Sequence, residues 1–156
     1  MSATPFTITS PPEGKDLATV PMKFEVAPVP VTDFDRAKAF YQRLGWRLDM
    51  DFQFSEQVRG VQFSPPGSSA SIQFGPPAAE PLQRLILVVE DVEAARAELV
   101  DRGIEVSDLL HGPPGQTPQP GKDPESRSYV SFAMFSDPDG NQWIIQEVTE
   151  RIPGRT

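Results

Sequence analysis

The sequence predicts an α+β fold in which two tandem βαβββ modules form a curved mixed sheet around one cleft. One observation is an internal repeat, since residues 29–35 align in character with residues 87–93. The same offset superposes Gly45 on Gly103 without a gap, and a repeat of this length indicates a duplicated supersecondary unit. A second observation is the length of 156 residues, which suffices for one ordinary domain or for two very small modules that share a core.

The first strand of each module is a short run of β-branched and apolar residues, at 24–31 in the first copy and at 84–90 in the second. Pro28 and Pro30 have no backbone N–H to donate, so the strand that contains them should lie at a sheet edge or pair irregularly. A dense turn cluster joins the last two strands of the second copy, at 137–141. Extended patterns predict three further strands in each half, at 46–54, 57–64 and 70–75 and at 104–109, 128–136 and 141–148.

A capped helix follows the first strand in each copy. Asp33 and Asp91 stand at the N-cap position, where a carboxylate accepts hydrogen bonds from the first free backbone N–H groups. Capping explains these acids better than a catalytic carboxylate pair. Gly45 and Gly103 supply the left-handed residue that commonly ends a helix. Apolar residues recur at helical spacing between cap and glycine, namely Phe34, Ala37, Phe40, Tyr41 and Leu44 in the first copy and Val92, Ala95, Leu99 and Val100 in the second.

The predicted boundaries are a flexible N-terminal tail at 1–22, a first module at 23–83, a second module at 84–149 and a C-terminal tail at 150–156. The N-terminal stretch has no basic start followed by an apolar core, so we expect no secretory signal. The second module departs from the first in a loop insertion at 111–128 that is rich in Gly, Pro and polar residues. A loop of this length is expected to be either a functional lid or surface decoration.

The composition excludes several classes of partner. With 14 Lys+Arg against 22 Asp+Glu, the net charge of -8 disfavours nucleic acid and anionic membrane surfaces. The absence of cysteine removes disulfides, thiolate metal sites and cysteine nucleophiles. No apolar run approaches the roughly 20 residues that a membrane-spanning helix needs. We expect a cytoplasmic protein that contacts neither membrane nor nucleic acid.

Two motifs resemble those of a known superfamily. Residues 29–41, followed by Leu44-Gly45-Trp46, and the turn at 137–141 are similar to motifs of the vicinal oxygen chelate superfamily, which contains glyoxalase I, extradiol dioxygenases and the fosfomycin- and bleomycin-resistance proteins. The resemblance covers about residues 23–149. It implies the βαβββ fold, a small-molecule cleft and a homodimer, because relatives commonly complete or extend the cleft by pairing modules.

The resemblance also implies where a metal would bind. In metal-dependent relatives, the first and last strands of each module place ligands on one shared divalent ion. These positions correspond to Val26 and Arg84 in the first strands, and to Ile144 and either Ser71 or Ile72 in the last strands. None is a histidine or a carboxylate, and the chain has one His and no Cys. We therefore expect no cofactor and disfavour a divalent metal.

Arg84 and two glutamines are the main candidates for ligand binding. Arg84 would place a permanent cation in the cleft, where it could bind an anionic or enolate-like oxygen, or it could pair with an acid at the rim. Gln73 and Gln146 each follow an isoleucine in a last strand, so they could hydrogen-bond a ligand or lie at a sheet or dimer edge. Trp143 and Ile145 should face the opposite way, into the core.

His111 is the obvious candidate general base, because no other side chain titrates near neutrality. It is predicted to lie in the Gly-Pro loop, where it is either catalytic or simply solvated. Tyr129, Arg127 and Glu147 are further candidates, and which way they face depends on the strand boundaries.

The resemblance and these residues together predict a glyoxalase/bleomycin-resistance-like protein that binds a small organic ligand without the usual metal. The alternative is an enzyme. It would be a lyase or isomerase that uses His111 with Arg84, or a metal-dependent glyoxalase-type enzyme whose ligands lie elsewhere, for example at Glu25 or Glu147. Fold alone does not decide between these activities.

Overall fold

The computed structural model describes residues 17–152 and 155, and it contains the two predicted modules. The elements of the first module form one sheet in the order β1-β4-β3-β2, with α1 as its helix. Their bounds are β1 Val26–Pro30, α1 Phe34–Arg43, β2 Arg47–Gln53, β3 Arg59–Ser64 and β4 Ser71–Gly75.

The second module forms a separate sheet in the order β5-β9-β8-β6-β7, with α2 as its helix. In both sheets the first strand is parallel to the last strand and the other pairs are antiparallel. The bounds are β5 Leu85–Val89, α2 Val92–Asp101, β6 Leu110–His111, β7 Gln119–Pro120, β8 Ser131–Ser136 and β9 Gln142–Glu147.

Both helices begin and end where local chemistry predicts. The Asp33 side chain accepts from Arg36 N, and the Asp91 side chain accepts from the equivalent backbone N–H of α2. Gly45 and Gly103 follow the helices with φ of +82° and +80°, a region that side chains with a Cβ disfavour. The prediction that β1 lies at a sheet edge is also confirmed.

The predicted strand at 104–109 is wrong. This segment approaches β8 through Ser107, whose backbone N–H donates to Met134 O and whose hydroxyl accepts from Met134 N. The Ser107 carbonyl accepts from the Arg96 side chain of α2 rather than from a strand. Because the backbone groups are satisfied in this way, no regular ladder forms, and strand pairing begins only at Leu110.

The modules share one core, in which Tyr41 of α1 is central. Its hydroxyl donates to Asp137 Oδ2 at 2.8 Å and accepts from Trp143 Nε1 at 3.1 Å. The Trp46 and Trp143 rings pack edge to face, with centroids 5.0 Å apart. Trp143 and Ile145 are buried, which confirms their predicted core positions. Helix α1 of the first module is therefore packed on the sheet of the second.

The predicted turn at 137–141 joins β8 to β9 and closes the core from one side. Asp137 Oδ1 accepts from the backbone N–H groups of Asp139 and Asn141. The Asn141 side chain donates to Pro30 O at 2.9 Å, and so attaches the turn to β1. Asp137 and Asp139 are thus turn residues, as expected.

The predicted tails lie largely outside the described part of the chain. Residues 1–16 of the N-terminal tail and residues 153, 154 and 156 of the C-terminal tail are outside it, while residues 17–22 contain no helix or strand. Within the described residues, no helix combines the length and apolarity that crossing a bilayer requires.

Candidate functional site

Each sheet packs one face on the shared core and leaves the other face open. On the second sheet, Ile86 pairs with Ile144 and Val88 with Gln146 between β5 and β9. Phe132 of β8 lies opposite Gln146 on the other side. Because paired residues on neighbouring strands point to the same side of a sheet, these five residues share the open face of the second sheet.

A cavity of about 170 Å³ lies on the open face of the second sheet. One wall is the loop 112–118, which belongs to the predicted insertion. We call this space the second-module cavity. It is lined by Arg84, Ile86, Gly112, Pro113, Pro114, Gly115, Gln116, Pro118, Tyr129, Phe132, Ile144 and Gln146. The lining combines the apolar side chains of Ile86, Phe132 and Ile144 and the loop prolines with four polar side chains, Arg84, Gln116, Tyr129 and Gln146. Small-molecule sites likewise join apolar walls to a small number of polar groups.

Arg84 stands at the edge of the second-module cavity, directly before β5. Its φ of +62° lies in the left-handed region, where a residue with a Cβ costs about 1–2 kcal/mol. Its backbone N–H donates to Gln142 Oε1 at 3.3 Å, which helps to hold this conformation. None of the ion pairs between described residues involves the Arg84 side chain.

Gln146 and Tyr129 meet at the other end of the cavity. Gln146 Nε2 donates to Tyr129 O at 3.1 Å, and Tyr129 N donates to Glu147 O at 2.8 Å. Tyr129 also has a positive φ, of +69°. Its hydroxyl accepts from Ile152 N, so the ring is held at both ends. The structure therefore brings together Arg84, Tyr129 and Gln146, three of the five residues predicted to bind a ligand.

The other two predicted ligand-binding residues lie elsewhere. Arg127 Nε donates to Asp123 Oδ2 at 2.9 Å. Hydrogen bonding from the Arg127 side chain is the largest cause that lowers the pKa of the Asp123 carboxyl to about 2. Gln73 belongs to the first module, where it pairs with Pro28. Neither residue lines the second-module cavity.

His111 is not a loop residue, contrary to prediction, but the second residue of the short strand β6. Its Nδ1 lies 2.8 Å from Gly121 O. A carbonyl only accepts, so the ring donates through Nδ1 and ties the start of the insertion to Gly121 within it. His111 is not among the residues that line the second-module cavity.

The strand register bears on the residues that the resemblance places at the family's metal positions. Ser71 lies opposite Val26 on the open face of the first sheet, whereas Ile72 is in the core. Gln73 pairs with Pro28 as Ile144 pairs with Ile86, so Gln73 is the positional counterpart of Ile144. These side chains and Arg84 do not suit a divalent metal. Among the described residues, no three His, Cys, Asp or Glu side chains converge as metal ligands would.

The two acids considered as alternative metal ligands lie apart. Glu147 is buried on the core side of β9, where its Oε2 accepts from Val92 N at the start of α2. Lys122, in the insertion, lies 3.3 Å from the same oxygen. Glu25 precedes β1 in the first module, where its carbonyl accepts from Ser71 N. The carboxylate of Glu147 therefore serves the fold, as a partner of α2 and of the insertion.

The open face of the first sheet carries a small polar cluster. Ser64 and Ser71 are buried, their hydroxyls are 2.6 Å apart, and the Ser64 hydroxyl donates to Asp49. The bond from Ser64 and the neighbouring Arg47 lower the pKa of the Asp49 carboxyl. An exposed aromatic pair, Phe52 and Phe54, lies beyond the cluster with centroids 4.8 Å apart.

A larger groove of about 410 Å³ runs between the end of α1 and the β5–α2 unit. Its charged lining residues are Glu98, Arg102 and Arg151. It contains none of the predicted ligand-binding residues, and Glu98 and Arg102 already pair with each other. The second-module cavity is therefore the better candidate site despite its smaller volume. Sequence reasoning missed its members Ile86 and Phe132, although strand alternation could have identified both.

Comparison with known proteins agrees with the fold. The family model described as Glyoxalase/Bleomycin resistance protein/Dioxygenase superfamily matches residues 23–145. A search of curated proteins finds no match.

Among solved structures, the chain is similar to TnmS3, an antibiotic binding protein from Streptomyces sp. CB03234, with 30% identity, a TM-score of 0.62, and coverage of 84% of this chain and 99% of that one. A glyoxalase/bleomycin resistance protein from the same organism shares 32% identity with a TM-score of 0.58, over 80% of this chain and 100% of that one. A superfamily member from Sphaerobacter thermophilus DSM 20745 shares 27% identity with a TM-score of 0.59, over 81% and 97%. The chain belongs to the glyoxalase/bleomycin resistance protein/dioxygenase superfamily.

Proposed function

We propose that this protein binds a small organic molecule in the second-module cavity and does so without a divalent metal. The observation that carries this proposal is the arrangement of Arg84, Tyr129 and Gln146 around a cavity that apolar side chains and loop prolines also line. Apolar walls supply affinity, while a few polar groups orient the ligand. TnmS3, which is 30% identical, is described as an antibiotic binding protein, and this supports a binding role.

The donor groups argue against a metal. The resemblance assigns Val26, Arg84 and Ile144 to the family's ligand positions, and the strand register favours Gln73 over Ser71 or Ile72 as the fourth. Divalent ions prefer carboxylates and imidazoles. A permanently charged guanidinium would also repel a cation. We expect dialysis against EDTA to leave both the thermal unfolding midpoint and ligand binding unchanged. Copurification of a near-stoichiometric divalent metal would contradict the proposal.

Binding is favoured over catalysis by the position of His111. Its Nδ1 is engaged with Gly121 O, and the residue does not line the cavity, so it is not placed to exchange a proton with a bound ligand. Of the groups that do line the cavity, neither an arginine nor a glutamine is an effective general base at neutral pH. We therefore propose sequestration of the ligand rather than its conversion.

A second copy of the chain would complete the site. The open face of the first sheet exposes Phe52 and Phe54 to 57% and 59%, and the open face of the second sheet exposes Ile86 and Val88. Exposed apolar surface of this kind commonly marks an interface. We propose a homodimer in which the open face of the first module of one chain covers the second-module cavity of the other chain.

Binding can be tested with the neutral dye N-phenyl-1-naphthylamine, whose fluorescence rises in an apolar site. We expect saturable binding with one site per chain. Ile86→Trp should weaken the binding at least tenfold, because the indole would fill part of the cavity. Val88→Trp is the matched control, since Val88 lies on the same face of β5 but does not line the cavity. The proposal fails if the dye does not saturate, or if both variants weaken it equally.

A further inference from the structure

The charged lining of the second-module cavity is unusual for this protein. The chain carries a net charge of -8, yet the cavity is lined by one arginine and by no aspartate or glutamate. An anion that enters the cavity therefore meets a cation at short range and no carboxylate in the wall. The local charge of the site is opposite to that of the whole molecule.

The side chain of Arg84 is not used in an ion pair with any described residue. Eight other lysine and arginine side chains of the described residues form ion pairs with aspartate or glutamate. Arg84 forms none, and the hydrogen bond found for it, to Gln142, uses its backbone N–H. The five N–H donors of its guanidinium are therefore available to a ligand, in a planar array that suits a carboxylate.

The backbone conformation of Arg84 also indicates a ligand site. Three non-glycine residues of the described chain have a positive φ, and two of them, Arg84 and Tyr129, line the second-module cavity. Such conformations persist where the surrounding structure holds them, and they are enriched at ligand sites. At Arg84 the surrounding contact is the bond from its N–H to the Gln142 side chain of β9.

The other residues that line the cavity indicate which chemical groups the rest of the ligand should carry. Gln146 Nε2 donates one of its two N–H groups to Tyr129 O, so the side chain retains one N–H donor and the acceptor Oε1. Ile86, Ile144 and Phe132 form an apolar surface opposite the prolines of the loop 112–118. The ring of an aromatic ligand would pack favourably against this apolar surface.

We infer that the second-module cavity selects organic anions, namely flat aromatic molecules with a carboxylate or an acidic phenolic oxygen that Arg84 binds. This inference rests on the proposed function and adds the chemical class of the ligand. Neutral aromatic molecules bind through the apolar walls alone and therefore bind more weakly.

The test is competition against bound N-phenyl-1-naphthylamine by two molecules of nearly equal shape, 2-naphthoate and 2-naphthamide, at pH 7.5. In the wild-type protein, 2-naphthoate should displace the dye at a concentration at least tenfold lower than 2-naphthamide. Raising the salt concentration should reduce this preference, because exposed charges are screened.

Substitutions test whether Arg84 causes the preference for 2-naphthoate. Arg84→Gln should bring the two competitors to within about twofold of each other when each is measured against the dye affinity of that variant, and Arg84→Lys should keep part of the preference. Arg43→Gln removes the same charge from an exposed position on α1 and should change nothing. Thermal unfolding of each variant checks that it is folded.

The two proposals fail in different ways. Absence of dye binding contradicts the proposed function itself. Equal displacement by naphthoate and naphthamide in a protein that binds the dye overturns only the selection of anions. A preference that survives in Arg84→Gln, or disappears in Arg43→Gln, overturns the role of Arg84.

Discussion

Nζ of Lys122 lies 3.3 Å from Oε2 of Glu147, a carboxylate whose side chain is 2% exposed. The pair joins the insertion of the second module to the buried end of β9. Lys122→Met would leave the carboxylate buried without its cation, so it should lower the free energy of unfolding by about 2–3 kcal/mol. Urea denaturation measures this change.

The matched control for this pair is Lys122→Met/Glu147→Gln. An amide can still accept from Val92 N without a buried charge, so the double variant should recover at least half of the stability lost by the single one. A Lys122→Met protein as stable as the wild type would show that the ion pair contributes nothing.

Asp123 should make the insertion sensitive to acid. Its pKa is lowered from 3.8 to about 2, first by the Arg127 side chain. A carboxyl whose pKa is lower in the folded state stabilises fully above its unfolded pKa, and this contribution is lost as the pH falls through about 2. The difference in unfolding free energy between wild type and Asp123→Asn should therefore be constant above pH 5 and shrink between about pH 4 and 2. A difference that does not change with pH would contradict this.

Tyr41→Phe should destabilise the joint between the modules. It removes the acceptor of Trp143 Nε1 and the donor to Asp137, both in the buried core, at an expected cost of about 2–3 kcal/mol. Tyr129→Phe is the control, because its hydroxyl accepts one bond from Ile152 N at the surface, and it should cost less than about 1 kcal/mol. Equal losses in the two variants, measured by urea denaturation, would be inconsistent with a bridging role for Tyr41.

Phe52→Ser/Phe54→Ser tests the proposed dimer. Loss of this exposed aromatic pair should weaken self-association at least tenfold, as measured by sedimentation equilibrium, without lowering the stability of the monomer. Val100→Ser, an exposed apolar residue on the helix α2, should leave association unchanged. A wild-type protein that sediments as a monomer at every concentration would rule out the dimer.

Much of the fold could be predicted because its signals are local. The N-caps Asp33 and Asp91 and the left-handed Gly45 and Gly103 act on backbone groups within a few residues, so they mark both helices correctly. The strand predicted at 104–109 does not form. An extended sequence pattern does not show whether a neighbouring strand is available to pair with the segment. On β8, Ser107 bonds to Met134, and its carbonyl accepts from the Arg96 side chain of α2.

Only part of the candidate site could be predicted, because only part of it depends on local signals. Strand alternation placed Gln146 opposite the core side of β9, and it does line the second-module cavity. Arg127, which is also predicted to bind the ligand, instead donates to the carboxylate of Asp123, four residues before it in the chain. His111 was assigned to a loop because a strand of two residues has no periodic signal.

The sequence by itself determined the two-module organisation and the capped helices, because these follow from residue identity and short-range spacing. Only the tertiary structure decided that Arg84, Tyr129 and Gln146 surround one cavity while Gln73 and Arg127 do not. That outcome depends on strand register and on the path of the loop 112–118. Both are set by contacts between residues far apart in the chain, which no local pattern encodes.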